Sequence, residues 1–215
     1  MTAKFVAELE DAVVIAGGFP LLAGVTMRLE PGTLTVVVGA NGAGKTSLLR
    51  LLAGLDQLTS GTGVVAGVDL ARGDRRLLRR RVGWLGHEGS FYDDLSVEEN
   101  LHFAARALSR PIADVAPALE RVGLAQRASA PARRLSAGQR RRLALAWLLV
   151  RRPEIWLLDE PYASLDDAAR DLLDDLLVDV VGAGATVVAS AHDPLRSEQP
   201  RVTLTLAGGR VVATS

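Results

Sequence analysis

The chain has 215 residues, enough for one compact domain or one domain carrying a nested subdomain. Its 25 basic and 25 acidic side chains cancel, so the basic excess of a general nucleic-acid binder is missing, and 4% aromatics leave little for a base-stacking platform. A hydrophobic share of 48% excludes a largely disordered chain, and the absence of cysteine excludes disulfides, thiolate metal sites and cysteine nucleophiles, in keeping with a reducing compartment.

The opening stretch MTAKFVAELEDAVV lacks the basic-then-apolar layout of a secretion signal. Residues 5–9 and 25–29 alternate in part and predict antiparallel strands, with turns at Gly17-Gly18 and Pro31-Gly32. Residues 33–38 form a continuous, largely β-branched run, the pattern of a strand buried on both faces. A helix is predicted over 44–53, stopped by Gly54. Ser60-Gly61 predicts a turn leading to a short strand over 64–68. The arginine-rich run 75–81 reads as a solvated helix face rather than a nucleic-acid or lipid patch. From 97 to 150 the pattern is helical, with breaks predicted at Pro111, Pro117 and Pro131. Alternation of strand and helix then returns: strand 155–158, helix 166–181, strand 186–190, and a hairpin of 202–206 with 210–212 around Gly208-Gly209. Strand–helix–strand order implies a parallel sheet with helices on both sides, so the helical middle is an insertion into an α/β core. The richest apolar stretch, 143–150, falls far short of the roughly 20 residues of a spanning helix. The expectation is a cytoplasmic protein able to dock on a membrane protein.

Gly39-Ala40-Asn41-Gly42-Ala43-Gly44-Lys45-Thr46 matches the phosphate-loop pattern G-x-x-x-x-G-K-[ST] in full, between a buried strand and a helix. The glycines let the backbone curl so that successive N–H groups face one anion, and the helix, with Ser47 in its first turn, adds its positive end. Lys45, one of only two lysines, can reach the terminal phosphates, and Thr46 offers a hydroxyl to Mg²⁺. Downstream, Asp159 and Glu160 follow four apolar residues at the C-terminal end of a strand, the edge where parallel sheets bind ligands. Asp159 can hold Mg²⁺ through its water shell, and Glu160 can orient or deprotonate an attacking water. Together these residues read as a nucleoside-triphosphate site.

Leu135-Ser136-Ala137-Gly138-Gln139 precedes the helix RRRLALAWLLV, and Ser136 with Gln139 has capping-box spacing. That local reading leaves open what the helix start is for. Here the sequence resembles the ATP-binding cassette family, whose signature LSGGQ appears as LSAGQ. The resemblance covers nearly the whole chain, in the order phosphate loop, signature, acid strand, Ser164-Leu165-Asp166 and His192. It implies a P-loop NTPase (RecA-like) α/β core over 1–87 and 151–215 that carries an antiparallel β subdomain, with an inserted α-helical subdomain over 88–150. It also implies ATP and Mg²⁺ as cofactors, ATP hydrolysis, and an ATP-dependent homodimer paired head to tail around two nucleotides. Ser136, Gly138 and Gln139 of one subunit would close on the γ-phosphate held by the other. Asp166 would communicate across that interface, and His192 would contact the γ-phosphate and help fix the water.

Two registers depart from the family. Where cassettes carry a glutamine that touches Mg²⁺ and the water, this chain has His87-Glu88. Either can supply a ligand or a water contact, Glu88 adding a charge at the metal and His87 only when neutral; the alternative is that both only shape the loop. Where cassettes stack adenine on an aromatic ring, the register holds Ala16. Phe19 is the nearby ring and reads equally as a small-core residue, which predicts weak adenine recognition with other purine triphosphates competing.

The stretch GHEGSFYDDLSVEENLHF is similar to the heme-exporter cassettes of cytochrome c biogenesis, which read Gly-His-Gln at its start and also use LSAGQ. Exporters of drugs or lipids share much of the layout. The resemblance implies work at the inner face of the cell membrane through integral membrane permease subunits. Phe91 and Tyr92 either anchor a partner helix or pack internally, and His102 reads as packing or surface, so no direct heme binding is expected. Ser136 falls 91 positions after Lys45, too few to hold the coiled coil of a chromosome-type cassette, and a small kinase has no use for the signature. A regulatory cassette that holds ATP without turnover is opposed by intact Lys45, Asp159 and Glu160 but left open by His87-Glu88.

Overall fold

A computed structural model describes residues 5–86, 91–191 and 201–215. β1 (Ala7–Ala16) and β2 (Phe19–Leu29) pair antiparallel across the Gly17-Gly18 turn, and β4 (Ser60–Val65) and β5 (Val68–Asp69) complete a four-stranded sheet in the order β2-β1-β4-β5. Ser60 and Gly61 open β4 instead of turning into it. The register between β1 and β4 shifts between Glu10 and Val13, where Asp11 takes φ +48°. A side chain at Gly61 would meet the Asp11 carbonyl oxygen at 2.3 Å, so the glycine serves a bulge inside the sheet.

β3 (Leu34–Val38), β6 (Val82–Leu85), β7 (Ile155–Leu158), β8 (Thr186–Ser190), β9 (Arg201–Ala207) and β10 (Arg210–Thr214) form a second sheet in the order β10-β9-β3-β8-β7-β6. Every pairing in it is parallel except that of β10 with β9, the predicted hairpin. Successive residues of the central strands enter opposite cores. Val36, Trp156, Leu158, Val187 and Ala189 pack on one side, and Val37, Ile155, Leu157, Val188 and Leu204 on the other. Burial on both faces explains why these strands read as unbroken apolar runs. β6 escaped the sequence reading. It is four residues long, holds a glycine, and lies at the sheet edge with Trp84 half-buried.

α1 (Lys45–Leu52) fills the space between the two sheets through Leu48, Leu49, Leu51 and Leu52. On the opposite face lie α3 (Val97–Ala107), α4 (Val115–Arg121), α5 (Ala137–Arg151) and α6 (Asp167–Gly182). α3 and α5 each begin with a complete capping box, Ser96 with Glu99 and Ser136 with Gln139. Pro117 does not break the chain here. It is the third residue of α4, in a first turn whose N–H groups have no helical partner to lose. α2 (Arg75–Arg81) buries only Leu78, so its arginines form the solvated face expected.

Leu52, fully buried between the sheets, makes a direct test of this layering. Leu52→Ala should cost about 2–5 kcal/mol, seen as a lower urea midpoint at unchanged slope.

Candidate active site

The register of the central strands assembles the site. Val37 lies beside Ser190 and Ala189 beside Leu158, so the C-terminal ends of β3, β8 and β7 lie side by side along one edge. The phosphate loop leaves the first of these ends and Asp159-Glu160 the last. Gly39 passes so close to β9 that a side chain there would meet the Leu206 carbonyl oxygen at 2.3 Å. Gly42 and Gly44 take positive φ values, and Gly44 is the N-cap of α1. Ala40, Asn41, Gly42 and Thr46 are exposed, whereas Ala43 and Lys45 are buried. Lys45 Nζ donates to the carbonyls of Gly39 at 2.7 Å and Ala40 at 3.1 Å, so it stabilises the curled backbone from within.

The Thr46 hydroxyl donates to Asp159 Oδ2 at 2.9 Å across 113 residues of chain. The Asp159 carboxylate also accepts from the Ser190 hydroxyl at 2.7 Å, and Ser190 Oγ accepts the Glu160 N–H at 2.9 Å. Lys45, Asp159 and Ser190 are all buried. Glu160 takes φ +47°, a left-handed backbone uncommon for any residue but glycine. Ser190 was not singled out by sequence reasoning, because a hydroxyl at the end of a buried strand carries no signal of its own.

Beneath these residues lies Arg141 of α5. Its guanidinium donates to the carbonyls of Gly86, Asp159, Glu160 and Pro161. Burial pushes its pKa down to about 10, a shift opposed by the Asp159 and Glu160 charges, and it stays protonated at neutral pH.

The signature residues sit at the start of α5. The Ser136 Oγ accepts the Gln139 N–H at 3.2 Å, and Gln139 Oε1 accepts the Ser136 N–H at 3.0 Å. Gly138 lies against the Ser164 carbonyl, where an added Cβ would stand 3.0 Å from its oxygen. Residues 135–139 share no hydrogen bond with the phosphate loop of the same chain. Asp166 caps α6 by accepting the Ala169 N–H at 2.8 Å, and Tyr162 hydrogen-bonds to Asp174 of that helix. Ser47 is half-buried in the first turn of α1. Phe19 stands 74% exposed at the tip of the β1–β2 hairpin, which corrects its reading as a core residue: the two-residue turn leaves no second layer over it. His87, Glu88 and His192 lie outside the described residues.

A groove of about 760 Å³ opens between β6 and α5. Trp84, Phe91 and Trp147 line it, with Phe91 edge-on to Trp147 at 5.9 Å. Tyr92, half exposed, pairs with Phe103 at 5.1 Å.

The ABC transporter family model matches residues 22–163. The chain belongs to the ABC transporter family. It is similar to "Cytochrome c biogenesis ATP-binding export protein CcmA 2" of Cupriavidus metallidurans, at 44% identity over 91% of this chain and 93% of that one. The corresponding CcmA of Rhodopseudomonas palustris is 41% identical over 84% of this chain and 88% of that one. Among solved structures, an ATP-binding subunit of an ABC transporter covers 98% of this chain, which covers 89% of it in turn, with a TM-score of 0.88 at 24% identity. The chain is thus the nucleotide-binding ATPase subunit of an ABC transporter, and its fold is that of the family's cassettes. No helix among the described residues is long and apolar enough to cross a membrane.

Gly39 tests the backbone of this ABC phosphate loop. Gly39→Ala should impose about 1–3 kcal/mol of strain, read as nucleotide affinity weaker by about tenfold or more in a fluorescent ATP-analogue titration, with the far-UV circular dichroism unchanged.

Proposed function

We propose that this chain hydrolyses MgATP as one half of a head-to-tail homodimer and drives export through integral membrane subunits, in a system of the cytochrome c biogenesis type. The observation that carries the chemical part is the direct bond between Thr46 on the phosphate loop and Asp159 at the acid strand end. It supports the reading that this hydroxyl and this carboxylate would hold Mg²⁺, together with phosphate oxygens and water. Such a donor set fits Mg²⁺, which keeps several waters and is usually bound by one or two carboxylates plus substrate phosphates. The ion would neutralise charge on the β- and γ-phosphate oxygens. Lys45 would exchange its loop carbonyls for phosphate, with Gly39, Ala40, Asn41, Gly42, Ala43, Gly44 and Ser47 shaping the cradle. Glu160 would take the proton of the attacking water, and Phe19 offers an exposed ring face to the purine.

The place of the signature supports the dimer. Ser136, Gly138 and Gln139 cluster at a helix N-terminus, a good seat for a phosphate, yet they share no hydrogen bond with the loop of their own chain. Ser136 uses a lone pair in its cap and keeps its hydroxyl proton for donation. A second copy would supply the γ-phosphate, with Asp166 and His192 near the seam and His87 or Glu88 in the glutamine register. Residues 88–150 would move as a helical unit, and the groove beside Phe91 and Trp147 would seat the membrane subunit. The protein would thus work on the cytoplasmic side of the membrane. The export assignment is supported by the names of the relatives above.

Glu160→Gln should lower ATP turnover by about 10²–10⁴-fold while leaving ATP binding intact. With Mg-ATP that variant should run as a dimer by light scattering, and adding Ser136→Glu should return it to the monomer. Single chains at saturating Mg-ATP would refute the shared site. Purification from membranes, with the co-purifying proteins identified, checks the partner assignment.

A further inference from the structure

We infer that Arg141 is a positioning residue for hydrolysis, clamping the peptide between Asp159 and Glu160 against the Ser190 hydroxyl so that the Glu160 carboxylate is held in its working orientation. The inference rests on Glu160 acting as the base.

The geometry concerns one peptide plane gripped from both ends. Its carbonyl, that of Asp159, accepts from Arg141 Nη2 at 2.5 Å. Its N–H, that of Glu160, donates to Ser190 Oγ at 2.9 Å. The same Nη2 donates to the Glu160 carbonyl at 2.6 Å, and Nε reaches the Pro161 carbonyl at 3.3 Å. Three consecutive carbonyls therefore converge on one planar fork. They can do so because Glu160 takes φ +47°, which curls the strand end back on itself. Pro161 contributes no N–H to that curl, and the Ala163 N–H donating to the Glu160 carbonyl at 3.0 Å closes only the turn that follows, so Arg141 adds a grip on the Asp159 carbonyl from outside the turn. The remaining contact, from Nη1 to the Gly86 carbonyl, ties the same guanidinium to the end of β6.

A structural ion pair would offer a simpler use of a buried arginine, but Arg141 meets main-chain carbonyls on two separate segments of the fold, the end of β6 and residues 159–161. A lysine carries the charge without the fork, and three donors on one nitrogen cannot span these carbonyls at once. Ser190 makes the complementary grip. It also fixes the Asp159 carboxylate through its own proton, so one hydroxyl orients the peptide and the acid together.

The test is a double-mutant cycle on the full-length chain. Arg141→Gln and Arg141→Lys are each made alone and in the Glu160→Gln background, and Ser190→Ala is made in parallel as a small change that tolerates folding well. Single-turnover hydrolysis gives the rate, and a fluorescent ATP analogue gives the affinity. Arg141→Gln should lower the rate by about 10- to 100-fold, the scale of a misplaced reacting group, with affinity within about threefold of the parent. Arg141→Lys should recover only part of the loss, and Ser190→Ala should lower the rate in the same sense. In the Glu160→Gln background the Arg141 changes should have no further effect on the residual rate. Additive losses, or a full rate in Arg141→Lys together with an unchanged rate in Ser190→Ala, would overturn the inference. A Glu160→Gln variant that hydrolyses ATP normally would instead overturn the assignment of the base, a result distinct from either.

Discussion

The site depends on one constraint: three parallel strands must end in register. Val37 beside Ser190, and Ala189 beside Leu158, bring together residues that lie far apart in the sequence. The register is secured by the interior. Each central strand alternates its side chains between two apolar cores, so a slip of one residue would exchange every face at once. The polar edge inherits its precision from this apolar sheet. Thr46 meets Asp159 because Val36 and Leu157 are each locked on their own side.

The loop at that edge faces a conflict between binding and stability. A phosphate cradle needs its main-chain N–H groups aimed outward, which leaves little hydrogen bonding to hold the loop itself. The chain supplies support from other directions. Lys45 takes the carbonyls of Gly39 and Ala40, and the backbone of Gly209 donates to Ala43. On the opposite strand end, Ser190 and Arg141 support Asp159 and Glu160 in a similar way. Both halves of the site thus keep an unusual backbone in place by spending polar groups from neighbouring elements.

Much of this was legible before any coordinates. Strands 155–158 and 186–190 were read to their ends because burial on both faces leaves a short, unbroken apolar run. The capping box at Ser136 and Gln139 is local chemistry, so spacing sufficed. The failures share a different cause. Gly61 looked like a turn, but its use is set by a bulge in a strand some fifty residues earlier. Pro117 looked like a break, but position within a helix decides what a proline costs. β6 is as short as strand 155–158, but Gly83 interrupts its apolar run and Trp84 is only half-buried at the sheet edge. Phe19 reads equally as a ring for adenine and as a core residue, and only the hairpin geometry, which leaves it 74% exposed, removes the second alternative. Arg141 was one arginine among three in a row, and which of them is buried depends on how α5 lies against the sheet.

That last case also shows why a signature at the start of a helix reaches further than its cap. Ser136 and Gln139 close the first turn on themselves, while Arg141 begins the next turn and faces inward to the acid strand end. The two ends of this short stretch are joined by rigid helix. Under the proposed function, a displacement of the signature by a phosphate bound there would therefore have a stiff path to the peptide between Asp159 and Glu160. A loop in the same position would absorb the displacement in its own torsions. The capping box removes that freedom, because it fixes the helix start that Arg141 is measured from. Local punctuation and long-range positioning are in this sense the same structural fact, seen at the N-cap and one turn below it.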